Sequence, residues 1–245
     1  MESSDNIHDT GERILPTKNG ELSVVYSRHR FAYDYVSQFI EKKSVLDIGC
    51  GAGYGSKLLS EKAMEVVGID QSAEAISYCK RNYQAANLSY QQADATTLSL
   101  NRQFDAAVTF QAIEHFEDVS AFIDIVKKHV VPGGQIFITT PNILPTQKSR
   151  NKNDYHCSEM TYQEFHDQLS QKFSEFKIVG ITFANKNLLR TILGKTPLYK
   201  LGKQLKRGSN LKRVAGTMMD LTSFKIINNH IEHEAADLLA ICKNL

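Results

Sequence analysis

The stretch Val45-Leu46-Asp47-Ile48-Gly49-Cys50-Gly51-Ala52-Gly53-Tyr54-Gly55 constrains the fold more than any other part of the chain. An apolar run ends in an acid, a glycine-rich turn follows, and Ser56-Lys57-Leu58-Leu59-Ser60 then begins a helical pattern. This is strand, tight loop, helix. Glycines in such a loop permit φ > 0 and let a ligand approach the backbone closely. The helix start offers free N–H groups to the same ligand. Val66-Val67-Gly68-Ile69-Asp70 reads as a second strand ending in an acid. Its distance from Gly49 is close to the ~20 residues that separate a glycine loop from a ribose-binding carboxylate.

The loop spacing argues against a dinucleotide. A G-x-G-x-x-G pattern fails from Gly49, where Tyr54 takes the third glycine position, and from Gly51, where Ser56 does. The chain reads D-x-G-x-G-x-G instead, with Asp47 ahead of the first glycine. A carboxylate there repels a pyrophosphate and attracts an ammonium or sulfonium group.

Alternating strands and helices over residues 44–142 imply an α/β fold with parallel strands and right-handed crossovers. The expected helices run over Arg28–Ile40, Ser72–Tyr83 with Ser72 as N-cap, Asp118–Val130 and Thr161–Phe173. Further strands are expected at Phe104–Phe110, Val131–Ile138, Glu175–Thr182 and Asp237–Cys242. At 245 residues the chain can bury a full α/β core as one domain, 1–245. Within it, 1–43 reads as an N-terminal arm and lead-in helix, and 184–230 as a basic helical insertion before the last strand.

Asp47-x-Gly49-x-Gly51-x-Gly53 resembles the first motif of class I S-adenosylmethionine-dependent methyltransferases. Three later segments fit that family in order: Gln92-Ala93-Asp94-Ala95, Phe104–Phe116 and Val131–Ile138. The resemblance implies a doubly wound, mostly parallel seven-stranded sheet and S-adenosylmethionine as cofactor. On this reading Asp47 orients the methionine ammonium, directly or through water, the alternative being a cap on the loop's own N–H groups; Gly49, Gly51 and Gly53 lie around the cofactor, and Tyr54 packs against it or covers the loop. Asp70 accepts the ribose hydroxyls, the alternative being an N-cap for the next helix, Asp94 accepts from the adenine amino group, and Gln71, Ala95 and Gln111 also lie at the cofactor.

His115 and Glu114 follow the fourth strand, where the family places its acceptor. A hydroxyl acceptor is a poor nucleophile until it loses its proton, and a histidine is suited to take it. His156, in Asn153-Asp154-Tyr155-His156, is the second candidate base. For each histidine an ordinary structural role is the alternative. Thr10–Pro16, His29–Ala32 and Ile113–His115 resemble a subgroup associated with glycan and surface-polysaccharide biosynthesis. By that resemblance Tyr26 or Arg30 on the arm lies near the cofactor's carboxylate, and the acceptor is a sugar or glycan-linked hydroxyl, as a sugar nucleotide or lipid-linked glycan. A quinone, an amine or another small metabolite is the alternative, as is cofactor binding without turnover.

Ten lysines and arginines, and no acid, lie between Lys177 and Met219. This local imbalance fits an anionic partner, an anionic membrane surface or a solvated lid. Nucleic acid is disfavoured, since the segment offers Tyr199 alone as a stacking aromatic between Phe183 and Phe224. Cys50, Cys79, Cys157 and Cys242 are scattered without a C-x-x-C pair, and no local His/Asp/Glu spacing suggests a metal. The polar, acidic start and the lack of a long apolar run lead to the expectation of a cytoplasmic protein, with the basic segment as a peripheral membrane contact.

Overall fold

The structure, a computed structural model, describes residues 14, 17–18, 21–22, 24–144, 156–184 and 223–245. Two short strands, β1 (Thr17–Lys18) and β2 (Glu21–Leu22), pair antiparallel and precede helix α1 (Val24–Ser37). Then come β3 (Ser44–Ile48), α2 (Tyr54–Leu59), β4 (Glu65–Asp70), α3 (Ala73–Asn82), β5 (Leu88–Gln92) and β6 (Phe104–Phe110). A 3-10 turn, Ile113–His115, leads into α4 (Val119–Lys128) and β7 (Val130–Pro141). The chain continues through α5 (Tyr162–Lys172), β8 (Phe176–Phe183), β9 (Phe224–Ile227), α6 (Ile231–Glu234) and β10 (Asp237–Lys243).

The main sheet has eight strands in the order β5-β4-β3-β6-β7-β10-β8-β9. The first five are parallel; β10 runs antiparallel to both β7 and β8, and β9 antiparallel to β8. The expected seven strands are corrected by β9, which lies inside the span assigned to the basic insertion. Its Phe224 is buried against Phe31 and Phe183, so a four-residue edge strand is held by an aromatic anchor. Residues 185–222, the rest of that insertion, lie outside the described residues. Among the described residues no helix is long and apolar enough to cross a membrane.

Side chains alternate between the two faces of each strand. Leu46 and Ile48 of β3, Ala107 of β6, Ile136 and Ile138 of β7, and Leu238 and Ala240 of β10 face one core with Phe122, Ile123 and Val126 of α4 and Phe165 and Leu169 of α5. Val45, Ala106, Val108, Phe137 and Leu239 face the other core with Tyr33 and Val36 of α1 and Leu59 of α2. The sheet is therefore covered on both sides. Local hydrogen bonds set where the helices begin: Ser72 accepts from Ala75 N–H at 3.2 Å, Asp118 from Ala121 N–H at 2.9 Å, and Thr161 forms a reciprocal capping box with Glu164. Strand order reverses between β3 and β6, which places a crevice at the carboxyl ends of these strands.

Candidate functional site

The loop from β3 to α2 is built on three left-handed glycines: Gly49 (φ 76°), Gly51 (φ 53°) and Gly53 (φ 82°). A side chain at Gly53 would stand 2.5 Å from Cys79 Sγ, so this position needs both the conformation and the space. The loop is tied down from β4. Gly51 N–H donates to Asp70 Oδ2 at 2.9 Å, and Ser72 N–H donates to Oδ1 at 2.9 Å. Each Asp70 oxygen keeps a lone pair, and the residue lines the crevice. Asp94, at the end of β5, accepts from Thr96 N–H at 2.8 Å and from its hydroxyl at 2.7 Å, which hold its carboxyl below the usual range.

These elements enclose a cavity of about 710 Å³, within the size range of small-molecule and cofactor sites. Of the residues expected at the cofactor, Gly49, Gly51, Tyr54, Asp70, Gln71, Asp94, Ala95 and Gln111 line it. Gln111 sits in the left-handed region at φ 51°. Its N–H is held by the Thr139 carbonyl and hydroxyl, both at 3.1 Å. Its side-chain amide also donates to that hydroxyl at 3.3 Å.

Asp47 does not line the cavity. Strand alternation turns its side chain with Val45 toward α1 and α2, where it is fully buried. It accepts from Ser56 Oγ at 2.6 Å and from Tyr33 Oη at 3.1 Å. Burial raises its pKa to about 6, against the lowering effect of these two hydroxyls. Its place is beneath the glycine loop, as a brace for α2. Gly53 likewise shapes the loop from behind the cavity wall.

The arm does reach the site, but through other residues than expected. Neither Tyr26 nor Arg30 lines the cavity; His29 and Ile14 do. Tyr26 packs edge-on against Tyr54, with ring centroids 4.7 Å apart. His29 Nδ1 is hydrogen-bonded to Tyr54 Oη at 2.5 Å, and burial pushes its pKa down to about 3, so the ring is neutral near pH 7. Sequence reasoning passed over His29. The available signal was helical spacing, since Tyr26, His29 and Tyr33 recur at i, i+3 and i+7 on one face of α1.

At the other end of the cavity the structure brings together the three residues proposed for acid–base work. His115 lines the cavity, and its ring centroid is 5.0 Å from that of His156. One carboxylate oxygen of Glu114 and one ring nitrogen of each histidine lie within 4.8 Å of one another. Ser158 makes the connection: its N–H donates to Glu114 O at 3.0 Å, and its hydroxyl donates to Phe116 O. His156 Nδ1 is 2.9 Å from Glu159 Oε1. Glu114 is 1% exposed, and burial raises its pKa to about 8, helped by the nearby charges of Asp237 and Glu159. Glu114 and His156 stand behind His115 rather than on the cavity wall.

Residues 46–138 match the family model of a methyltransferase domain. A probable S-adenosylmethionine-dependent methyltransferase of Mycolicibacterium smegmatis is 28% identical over 162 residues, 65% of this chain and 62% of that protein. A ubiquinone biosynthesis O-methyltransferase of Pseudomonas fluorescens is 34% identical over 107 residues, 42% of this chain and 46% of that protein. The chain thus spans less than two thirds of the length of these curated relatives. Among solved structures, a methyltransferase from Thermotoga maritima superposes with a TM-score of 0.59 at 16% identity, covering 89% of this chain and 91% of that one. The N-methyltransferase NodS of Bradyrhizobium japonicum, in complex with S-adenosylhomocysteine, gives 0.57 at 16% identity, covering 91% and 88%. Residues 46–138 therefore match a methyltransferase domain, and the chain has the fold of these solved methyltransferases.

Proposed function

We propose that the chain transfers the methyl group of S-adenosylmethionine to an oxygen of a small hydroxylated acceptor. One observation carries this reading: a single cavity joins the glycine loop and the Asp70 and Asp94 carboxylates to His115. Asp70 accepts the ribose hydroxyls with its remaining lone pairs, and the Asp94–Ala95 turn receives the adenine. The glycine loop approaches the methionine portion, with Tyr54 as a lateral wall and His29 holding the Tyr54 hydroxyl. Asp47 keeps this loop in place from below.

Methyl transfer is an in-line displacement, and the sulfonium is already a good leaving group. The protein's work is to align, desolvate and deprotonate. His115 faces the cavity and takes the acceptor's proton, backed by Glu114 and His156; a positioned base of this kind contributes ~10²–10⁴-fold. The glycan-subgroup resemblance at Ile113-Glu114-His115 supports a sugar or glycan-linked hydroxyl. The ubiquinone O-methyltransferase relatives support a phenolic hydroxyl instead. A hydroxyl is common to both.

Incubation with methyl-labelled cofactor and separate panels of sugar nucleotides, lipid-linked glycans and hydroxylated quinones tests this. Acceptor-dependent S-adenosylhomocysteine is expected from one panel. Tight cofactor binding with no turnover on any panel, at a rate above hydrolysis, contradicts the enzymatic reading.

A further inference from the structure

Cys50 and Cys79 lie far apart in the sequence and meet beneath the glycine loop. Cys50 stands between Gly49 and Gly51 and lines the cavity, with 5% of its surface exposed. Cys79 belongs to α3 and is wholly buried behind it. The two pack in one small apolar cluster with Ile76 and Tyr90, and both are free thiols. Their sulfurs interact directly; that hydrogen-bonding contact, and then burial, push the Cys50 thiol up.

Cys79 also holds the loop from below. Its thiol donates to Gly51 O at 3.3 Å. Tyr90, in the same cluster, donates to Gly53 O at 3.1 Å. From the β4 side, Gly49 N–H and Cys50 N–H both donate to Ile69 O at 2.9 Å, and Gly51 N–H reaches Asp70 Oδ2. The loop is thus fixed residue by residue. Cys50 touches the cavity on one side and α3 on the other. Its flanking glycines give it the backbone freedom to shift, but a shift breaks these hydrogen bonds.

We propose that Cys50 and Cys79 form a reversible redox switch on the cofactor site: a peroxide that enters the empty cavity links them as a disulfide, and the linked loop no longer fits the cofactor. The inference rests on the cofactor part of the methyltransferase reading. The chemistry runs in two steps. Cys50 sulfur attacks the peroxide O–O bond, giving a sulfenic acid and one water. Cys79 sulfur then displaces the sulfenic oxygen, giving the S–S bond and a second water. Two thiols lose two electrons and two protons in all, and one hydrogen peroxide becomes two waters. The first step is slow, because the thiolate is scarce in a buried, raised thiol. The second is favoured, because the partner thiol is already in contact.

The geometry sets the direction of control. The sulfurs must close to ~2.05 Å, which draws Cys50 toward α3. The bond also removes the Cys79 donor from Gly51 O and disturbs the loop that the cofactor touches. A bound cofactor covers Cys50 and keeps the oxidant out. A bridge made by such a displacement is strained and readily reduced, so the switch reverses.

The test uses the full chain with Cys157→Ser, so that its exposed cysteine cannot cross-link copies. Ligand-free protein and protein saturated with S-adenosylhomocysteine are exposed to hydrogen peroxide, and proteolytic fragments are read by mass spectrometry. A linked Cys50–Cys79 fragment is expected from the ligand-free sample, little of it from the saturated one, and none after dithiothreitol. Calorimetry on the linked protein should show the S-adenosylhomocysteine Kd raised by about tenfold or more, consistent with loss of loop hydrogen bonds, and restored by dithiothreitol. In Cys79→Ser the same exposure should change Kd by no more than about twofold relative to the untreated variant. An equal loss in that variant assigns the effect to oxidation of Cys50 alone and overturns the bridge. Absence of the linked fragment, or a linked protein with unchanged Kd, overturns the switch. Failure of the methyltransferase reading looks different: the fully reduced chain takes up no S-adenosylhomocysteine, and the bridge then has nothing to control.

Discussion

His29 shows how one side chain can tie the cavity to overall stability. Its Nδ1 is engaged with Tyr54, the ring is buried, and its pKa is pushed down to about 3 from an ordinary 6.5. A histidine with a lowered folded pKa contributes stability that is present above about pH 6.5 and is lost as pH falls toward 3. Replacing it by Gln removes this loss. Between pH 7 and pH 4.5 the stability of His29→Gln relative to the parent should therefore improve by about 2–3 kcal/mol, at 1.36 kcal/mol per pH unit below 6.5. Urea unfolding at the two pH values measures it, and equal slopes for parent and variant contradict it. Asp47 titrates in the opposite sense, since its folded pKa is raised; the comparison between variant and parent cancels its contribution. The two residues also mark what a sequence can reveal at this scale. Asp47 was legible as a distinctive acid, but its destination was set by strand alternation, which turned it under α2. His29 stood in plain view on a helical face, yet nothing local distinguishes a buried histidine from an exposed one.

At the scale of elements, local chemistry was legible wherever one segment supplied it. Ser72 was expected as an N-cap from its place before an amphipathic run, and it is one. The glycine loop was equally readable, and its demands can be ranked. Gly53 and Gly133 both have φ near +80°, but a side chain at Gly133 meets nothing within 4 Å, whereas one at Gly53 strikes Cys79. Gly133→Ala should cost about 1–2 kcal/mol for its backbone conformation alone. Gly53→Ala should cost about 2–4 kcal/mol, since overpacking is added. Equal midpoints in chemical denaturation contradict this ranking. The strand β9 was not legible, because four residues carry too little periodicity to stand out after a long cationic segment. The meeting of His115 with His156 was also hidden, because it depends on Ser158 docking onto the 3-10 turn after β6. Ser158→Ala removes the hydroxyl's share of that docking. Turnover on an identified acceptor should fall about tenfold, consistent with loss of one hydrogen bond of about 1 kcal/mol or slightly more. The S-adenosylhomocysteine Kd should stay within twofold. A change in Kd without a change in kcat places Ser158 at the cofactor end instead.

For the whole molecule, the cavity is an outcome of topology. Strand order reverses between β3 and β6, and the ends of β3, β4, β5 and β6 open onto one crevice, which α1 closes through His29. Alternating strands and helices made this crevice foreseeable from the chain. Its lid and its acceptor end depend on contacts between residues far apart in sequence, such as the Arg28–Asp237 ion pair joining α1 to β10. Because several elements contribute walls, cofactor product should stabilise the molecule as a unit. At 100 times Kd, S-adenosylhomocysteine adds about 2.7 kcal/mol. For a chain of this size that raises Tm by about 5–10 °C. Asp70→Ala should abolish most of this increment at the same ligand concentration, since the variant loses charge-assisted hydrogen bonds worth about 1.5–3 kcal/mol each. The variant's ligand-free Tm will fall as well, because Asp70 also braces Gly51 and Ser72. The decisive quantity is therefore the ligand-induced shift within each protein, read by differential scanning calorimetry. A shift of parental size in Asp70→Ala removes that carboxylate from the binding site and leaves it only its bracing role.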